Sequence, residues 1–252
     1  MKSILRPLEE LAALTGFLTV IPTGSHSIEK AAGGLYWAPI IGLLLGLIAI
    51  LPYYTPLPIQ AATVLALILL YGLTGLLHLD GYADFCDTLG SGLTGSDALR
   101  VLKDPRKGAK AIGCTAILIV SIYGILESLA RVYPVLIAVS TAGAYESLYA
   151  TALLGRPPGY RGLGSMFIEE ARGRLAYNVV VVALTSGVIY VAWGPAALAG
   201  YTASLAVSLA SSAYSAWKAH RVLGMVNGDV IGFSLEVSRL LALLSALLVV
   251  YL

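Results

Sequence analysis

Long apolar stretches dominate the chain, and a few short polar segments separate them. Runs at about 35–53, 59–79, 111–130, 134–154, 175–193, 196–216 and 230–252 each approach the roughly twenty residues needed to cross a hydrocarbon layer. Their separators are of two kinds. Pro52, Pro56 and Pro58 mark one turn without charge and Gly194-Pro195 another, whereas the segments 80–110, 155–174 and 217–229 are strongly basic. Ahead of the first run, Ile4, Leu8, Leu11, Leu14 and Leu18 recur at helical spacing in a stretch too short and too polar to span. It reads as an amphipathic helix lying in the interface or tucked against the bundle, followed by a loop around Pro22, Gly24, Ser25 and Ser27. Within 80–110, Ser96-Asp97 reads as the N-cap of a short surface helix over 98–103. The pattern predicts an all-α, polytopic membrane bundle of about seven spanning helices plus the N-terminal amphipathic helix. It forms one membrane domain over 1–252, with 1–34 as its interfacial segment.

Composition agrees: 58% of residues are hydrophobic and 12% charged, with a mean hydropathy of +0.84, far from the quarter charged of soluble domains. A net charge of +2 is too small to argue for nucleic acid, and lipid is the partner the composition demands. The placement of charge says more. Fourteen of the sixteen Lys and Arg fall before the first run or in the three basic loops, leaving Arg131 and the intrahelical Arg239. The positive-inside rule puts those segments in the cytoplasm and the C-terminus outside, in a multi-pass protein of the cell membrane. All six aspartates and all three histidines lie on that same face, which makes it the expected active face. Cys86 and Cys114 flank a cytoplasmic loop, without the spacing of a zinc site, so neither a disulfide nor zinc is expected.

The densest chemistry is Gly75-Leu-Leu-His-Leu-Asp-Gly-Tyr-Ala-Asp-Phe-Cys-Asp87. Asp80, Asp84 and Asp87 are spaced i, i+4 and i+7, within roughly 60° of arc on a helix. Three bare negative charges at a membrane boundary repel one another unless a cation sits between them. Mg²⁺ prefers oxygen ligands and is usually held by a few carboxylates together with substrate phosphates. The stretch therefore points to a Mg²⁺ and pyrophosphate site, set against the plainer reading of a polar helix end facing the cytosol. His78 lies two residues before Asp80, roughly 160° around a helix, so a structural role is expected unless the helix breaks at Gly81.

Other segments add to this site. Asp104-Pro-Arg106-Lys107-Gly-Ala-Lys110 offers a fourth carboxylate and cations suited to phosphate, though a basic juxtamembrane stretch also holds anionic lipid. Gly162 and Gly164, just after Arg161, can bring backbone close to a ligand and present N–H groups to an anion. Asp229 opens the last run, with helix capping as its plainer role, and Glu236 lies two turns along the same face with Arg239 in reach as a partner. Glu127 and Glu146 read as structural acids.

At these residues the chain resembles the cobalamin synthase family, the adenosylcobinamide-GDP ribazoletransferases. His78-Leu-Asp-Gly-Tyr-Ala-Asp-Phe-Cys-Asp87 is similar to that family's H-L-D-G-L-A-D-x-x-D, Asp104-Pro-Arg-Lys-Gly108 to D-x-R-x-G, and Gly162-Leu-Gly-Ser-Met-Phe167 to G-L-G-x-x-F. Gly228-Asp229, Gly232 and Glu236 fit G-D-x-x-G-x-x-x-E, while Phe17–Pro22 and Ala38–Gly46 resemble its two N-terminal motifs. Val20, Thr88 and Ala111 depart from it, as does Tyr145-Glu146 where the family carries Ser-Arg. The resemblance implies Mg²⁺-dependent joining of adenosylcobinamide-GDP to α-ribazole or its 5′-phosphate, with release of GMP. It implies metal on Asp80, Asp84, Asp87 and Asp104, phosphate gripped by Arg106, Lys107 and Arg161, and Asp84 or Asp87 as the base. Gly162, Gly164, Asp229 and Glu236 would contact substrate. A CDP-alcohol phosphotransferase also uses aspartates with Mg²⁺, but this chain lacks the rest of that motif. A cation or substrate transporter would place its charges near the midplane and show a repeat, and neither is seen here. A scaffold for corrinoid assembly would need no intact acid stripe. The oligomeric state, a homo-oligomer included, is left open.

Overall fold

The computed structural model describes residues 2–25, 27–159 and 162–251, with side chains from residue 5 onward. Most of the described residues are helical, with no strand among them. Helix α1 (Lys2–Leu18) buries Glu10, Ala13, Leu14 and Leu18 against the bundle and leaves Leu5 and Leu8 exposed, so it is tucked in along one face. The buried Glu10 holds it there: its carboxylate accepts from Arg6, from Arg174 at 2.9 Å and from the Tyr36 hydroxyl at 2.8 Å. After α2 (Ile28–Gly33), a 3₁₀ turn leads into α3 (Ala38–Ile50).

The bundle is built around α8 (Val135–Leu154), which is buried on every side and packs against α3, α10 (Leu175–Val222) and α11 (Gly228–Tyr251). Small residues allow this closeness. A Cβ on Gly42 or Gly46 would come within 2.7 Å of Tyr145 or 2.6 Å of Ala138. Polar side chains tie the same helices together, Asn178 donating to Glu146 at 3.0 Å and Thr151 to Ser234 at 2.6 Å. In contrast α7 (Ala109–Val132) turns an apolar face outward, with Ile117 and Val120 each 70% exposed. Such a face suits lipid, not water.

Among the described residues, four helical stretches are long and apolar enough to cross a membrane, and five if the bent pair described next counts as one span. Seven runs were expected, and the difference has two sources. Helix α10 joins the 175–193 and 196–216 runs across a break at Gly194 (φ 80°, ψ −171°) followed by Pro195. Helix α8, shielded from lipid by its neighbours, carries Ser, Thr, Tyr and Glu146 in place of a purely apolar sequence. The 59–79 run is also not continuous. Helix α4 (Ile59–Gly72) ends at an elbow, and α5 (Leu77–Ser91) leaves it at 83°. Gly75 and Leu76 both take left-handed φ values, 56° and 60°, a conformation that a leucine adopts only under constraint. The Val20 N–H donates to Leu73 O at 2.8 Å and pins the elbow to the end of α1. The short surface helix α6 (Gly95–Leu102) starts earlier than the sequence suggests. Its N-cap is Thr94, without a side-chain bond, while Asp97 faces Arg100 in the open.

Candidate active site

The elbow turns α5 so that its acid stripe meets the start of α11. Gly81 makes the meeting possible, since a Cβ there would stand 2.9 Å from the Cα of Asp229. Tyr82 stacks on Phe233 at 5.4 Å and Phe85 meets the same ring edge-on at 5.0 Å, locking the two helices in register. The helix does not break at Gly81. His78 is accordingly held inside, 5% exposed, with its ring edge toward Tyr145.

Between α6 and α7, the segment 104–108 folds back over the stripe. The Lys107 ammonium lies between Asp80, at 2.9 Å, and Asp84, to which it also bonds. Burial works against the charge on Lys107, but its bonds to Asp84 and Asp80 outweigh that effect and raise its pKa. Asp80 remains 66% exposed at the side chain and Asp84 15%, so the pair forms a rim with one wet and one sheltered carboxylate. Asp229 stands half-buried beside them. It is not the cap of α11: Asn227 fills that place, accepting from the Val230 N–H at 3.1 Å and donating its amide to Asp229 at 2.8 Å. The carboxylates that converge are therefore Asp80, Asp84 and Asp229.

Other candidates go elsewhere. Asp87 accepts from the Gly108 N–H at 2.6 Å and the Ala111 N–H at 3.2 Å, which makes it the anchor of the first turn of α7. Asp104 and Arg106 form an exposed fork with each other, at 3.0 and 2.8 Å, and the arginine holds the Asp104 carboxyl down at about 2. Glu236 is fully buried in α11. It accepts twice from Arg239, at 2.8 and 2.9 Å, and from the Tyr71 hydroxyl at 2.9 Å, so its partner is the one the spacing suggests. Arg161 lies outside the described residues. Gly162 gives its N–H to Ser165 Oγ at 3.1 Å and so caps the start of α9 (Leu163–Arg172), whereas Gly164 lets α9 approach the Gly228 backbone and stays beside Asp80 and Asp229. Among the described residues, no group of three or more His, Cys, Asp and Glu is arranged to hold a metal ion by itself. The two cysteines are free.

Two cavities meet at Asp80. An outer one of about 580 Å³ runs between α5 and the outward face of α7, with Lys107 and Asp80 at one end and Leu79, Ala116 and Ile119 along it. An inner one of about 200 Å³ lies among α1, α5, α9 and α11 and brings Phe17, His78, Asp80, Gly164, Gly228 and Asp229 together. Neither the inner cavity nor the role of Asn227 was visible in the sequence. The N-x-D spacing of Asn227 and Asp229 is the one signal that could have suggested the latter.

A family model described as cobalamin-5-phosphate synthase matches residues 10–248 of the chain. Among similar proteins, the adenosylcobinamide-GDP ribazoletransferase of Pyrobaculum calidifontis is 34% identical over 230 residues, covering 91% of this chain and 94% of the relative. That of Halorubrum lacusprofundi is 31% identical over 250 residues, covering 94% and 95%, and that of Methanococcoides burtonii 29% identical, covering 91% and 88%. No solved structure matches the chain.

Proposed function

The chain belongs to the cobalamin-5-phosphate synthase family, and from that premise we propose that it joins adenosylcobinamide-GDP to α-ribazole or its 5′-phosphate at the cytoplasmic face of the cell membrane. The products are adenosylcobalamin, or its 5′-phosphate, and GMP. The observation that carries this reading is the rim of Asp80 and Asp84 with a cation, Lys107, already between them. Oxygen donors of that kind suit Mg²⁺, which commonly takes one or two carboxylates from protein and the rest of its ligands from substrate phosphates. Asp80 and Asp84 would hold it, with Asp229 adding negative charge nearby, and the ion would neutralise charge on the diphosphate as GMP leaves.

The remaining work belongs to this chain's residues. Phosphoryl transfer needs alignment and charge neutralisation more than covalent help. Lys107, released from the carboxylates, reaches the diphosphate from the side of the outer cavity, which has room for part of a large substrate. Asp80 and Asp229 line the inner cavity, where the attacking ribose hydroxyl can give up its proton to a carboxylate. Asp87 supports the site indirectly, by fixing the turn that carries Lys107. The test is GMP release by the purified protein from adenosylcobinamide-GDP and α-ribazole with Mg²⁺. Release that stops on adding EDTA and resumes with excess Mg²⁺ is expected, and no release would overturn the assignment.

A further inference from the structure

The inner cavity holds a feature that phosphoryl transfer does not use. His78 lines it, is buried, and its Nε2 has no hydrogen-bond partner. Buried side-chain nitrogens are almost always paired, and one left alone is costly. The walls around it are apolar and partly aromatic: Phe17 and Phe167, 5.0 Å apart between ring centroids, with Leu148 and Ile231. Carboxylates appear only at the Asp80 and Asp229 end. At about 200 Å³ the space is smaller than the roughly 300–1,000 Å³ that drug-sized ligands require, so neither a nucleotide nor a corrinoid fits. A single flat bicyclic ring does.

We propose that this cavity is the seat of the acceptor's heteroaromatic base, and that His78 Nε2 donates to its unsubstituted ring nitrogen. The inference rests on the transferase reading given above, in which the acceptor is a benzimidazole riboside. That ring is apolar on both faces and carries one in-plane nitrogen that can only accept, so one buried donor satisfies it. With the base among Phe17, Phe167 and Ile231, the attached ribose points toward the acid end, where its hydroxyl is needed. His78 is thus a specificity residue: it reads the ring nitrogen and takes no part in the proton transfer.

The experiment compares α-ribazole with the α-riboside of 5,6-dimethylindole, in which a CH replaces that nitrogen, by GMP release at saturating adenosylcobinamide-GDP. The wild-type protein is expected to show a KM about 10- to 100-fold higher for the indole riboside, the loss of one buried hydrogen bond. His78→Phe should raise the KM for α-ribazole by a similar factor, abolish discrimination between the two ribosides, and leave the KM for adenosylcobinamide-GDP unchanged. Its melting temperature should hold or rise, because an unpartnered polar atom has gone. GMP release with equal use of both ribosides by the wild-type protein would overturn the proposal while leaving the transferase reading intact. So would a KM for α-ribazole raised by Ala116→Trp in the outer cavity but not by His78→Phe. The wild-type comparison holds even if H78F fails to fold, and absence of GMP release with α-ribazole itself would overturn both readings.

Discussion

Helix α11 begins beside one set of opposite charges and carries another two turns further on, and the two sets are handled in opposite ways. At Glu236 and Arg239 every carboxylate oxygen is matched: the guanidinium donates to both and Tyr71 to one, with the Arg239 guanidinium 4.9 Å over the Tyr71 ring. Water is excluded, and the cluster joins α4 to α11. At Asp80, Asp84 and Asp229 one ammonium faces three acids at the edge of two cavities, and Asp80 is still mostly solvated. The buried pair neutralises itself, although Arg239 Nε and Nη2 find no partner, whereas a partly open, under-neutralised cluster leaves room for a further cation. The first has the form of a structural clamp and the second that of a site. The chemistry of the residue types alone does not distinguish them, because both are carboxylates in a helix.

Substitutions can break this contrast. The largest effect is expected from Asp80→Asn, which should lower the rate of GMP release by about a thousandfold or more, the scale on which a directly acting electrostatic group contributes. The melting temperature should hold or rise slightly, since removing one of three like charges relieves repulsion; comparable activity would show that the open cluster is not the site. Glu236→Gln should do the reverse, leaving Arg239 buried without its counter-charge. A loss of about 3–5 kcal/mol in stability is expected from breaking such a pair, measured by thermal unfolding in detergent, and unchanged unfolding would deny the clamp. Asp87→Ala sharpens the comparison. Losing the anchor of α7 should cost about 1 kcal/mol, as helix caps do, with activity lowered only in proportion to the disturbed position of Lys107. A loss of activity as deep as that of Asp80→Asn would return Asp87 to the acting residues.

Much of this was legible along the chain, for a physical reason. Apolar runs of membrane length have few alternatives to helix, so α3, α7, α10 and α11 follow from hydropathy, and Gly194-Pro195 from its inability to continue a helix. The i, i+4, i+7 spacing put Asp80, Asp84 and Asp87 on one stripe correctly. What spacing cannot show is which backbone N–H arrives from another element. Asp87 faces the amides of Gly108 and Ala111, more than twenty residues away, and so becomes a cap while its neighbours stay available. Arg106 and Lys107 are adjacent and equally cationic, yet the turn at 104–108 sends Arg106 to Asp104 and Lys107 to the stripe.

The sequence by itself determined the material of this protein: its helices, its placement in lipid, its acids and the basic segment that balances them, all consequences of local periodicity and transfer free energy. Only the tertiary structure decided the uses to which they are put. The elbow at Gly75-Leu76, held by Val20, turns α5 against α11, and that crossing selects Asp229 as the third acid, seals His78 inside and opens the inner cavity beside it. Those outcomes depend on contacts between segments far apart in the chain, where the packing of whole helices outweighs the preferences of any one residue.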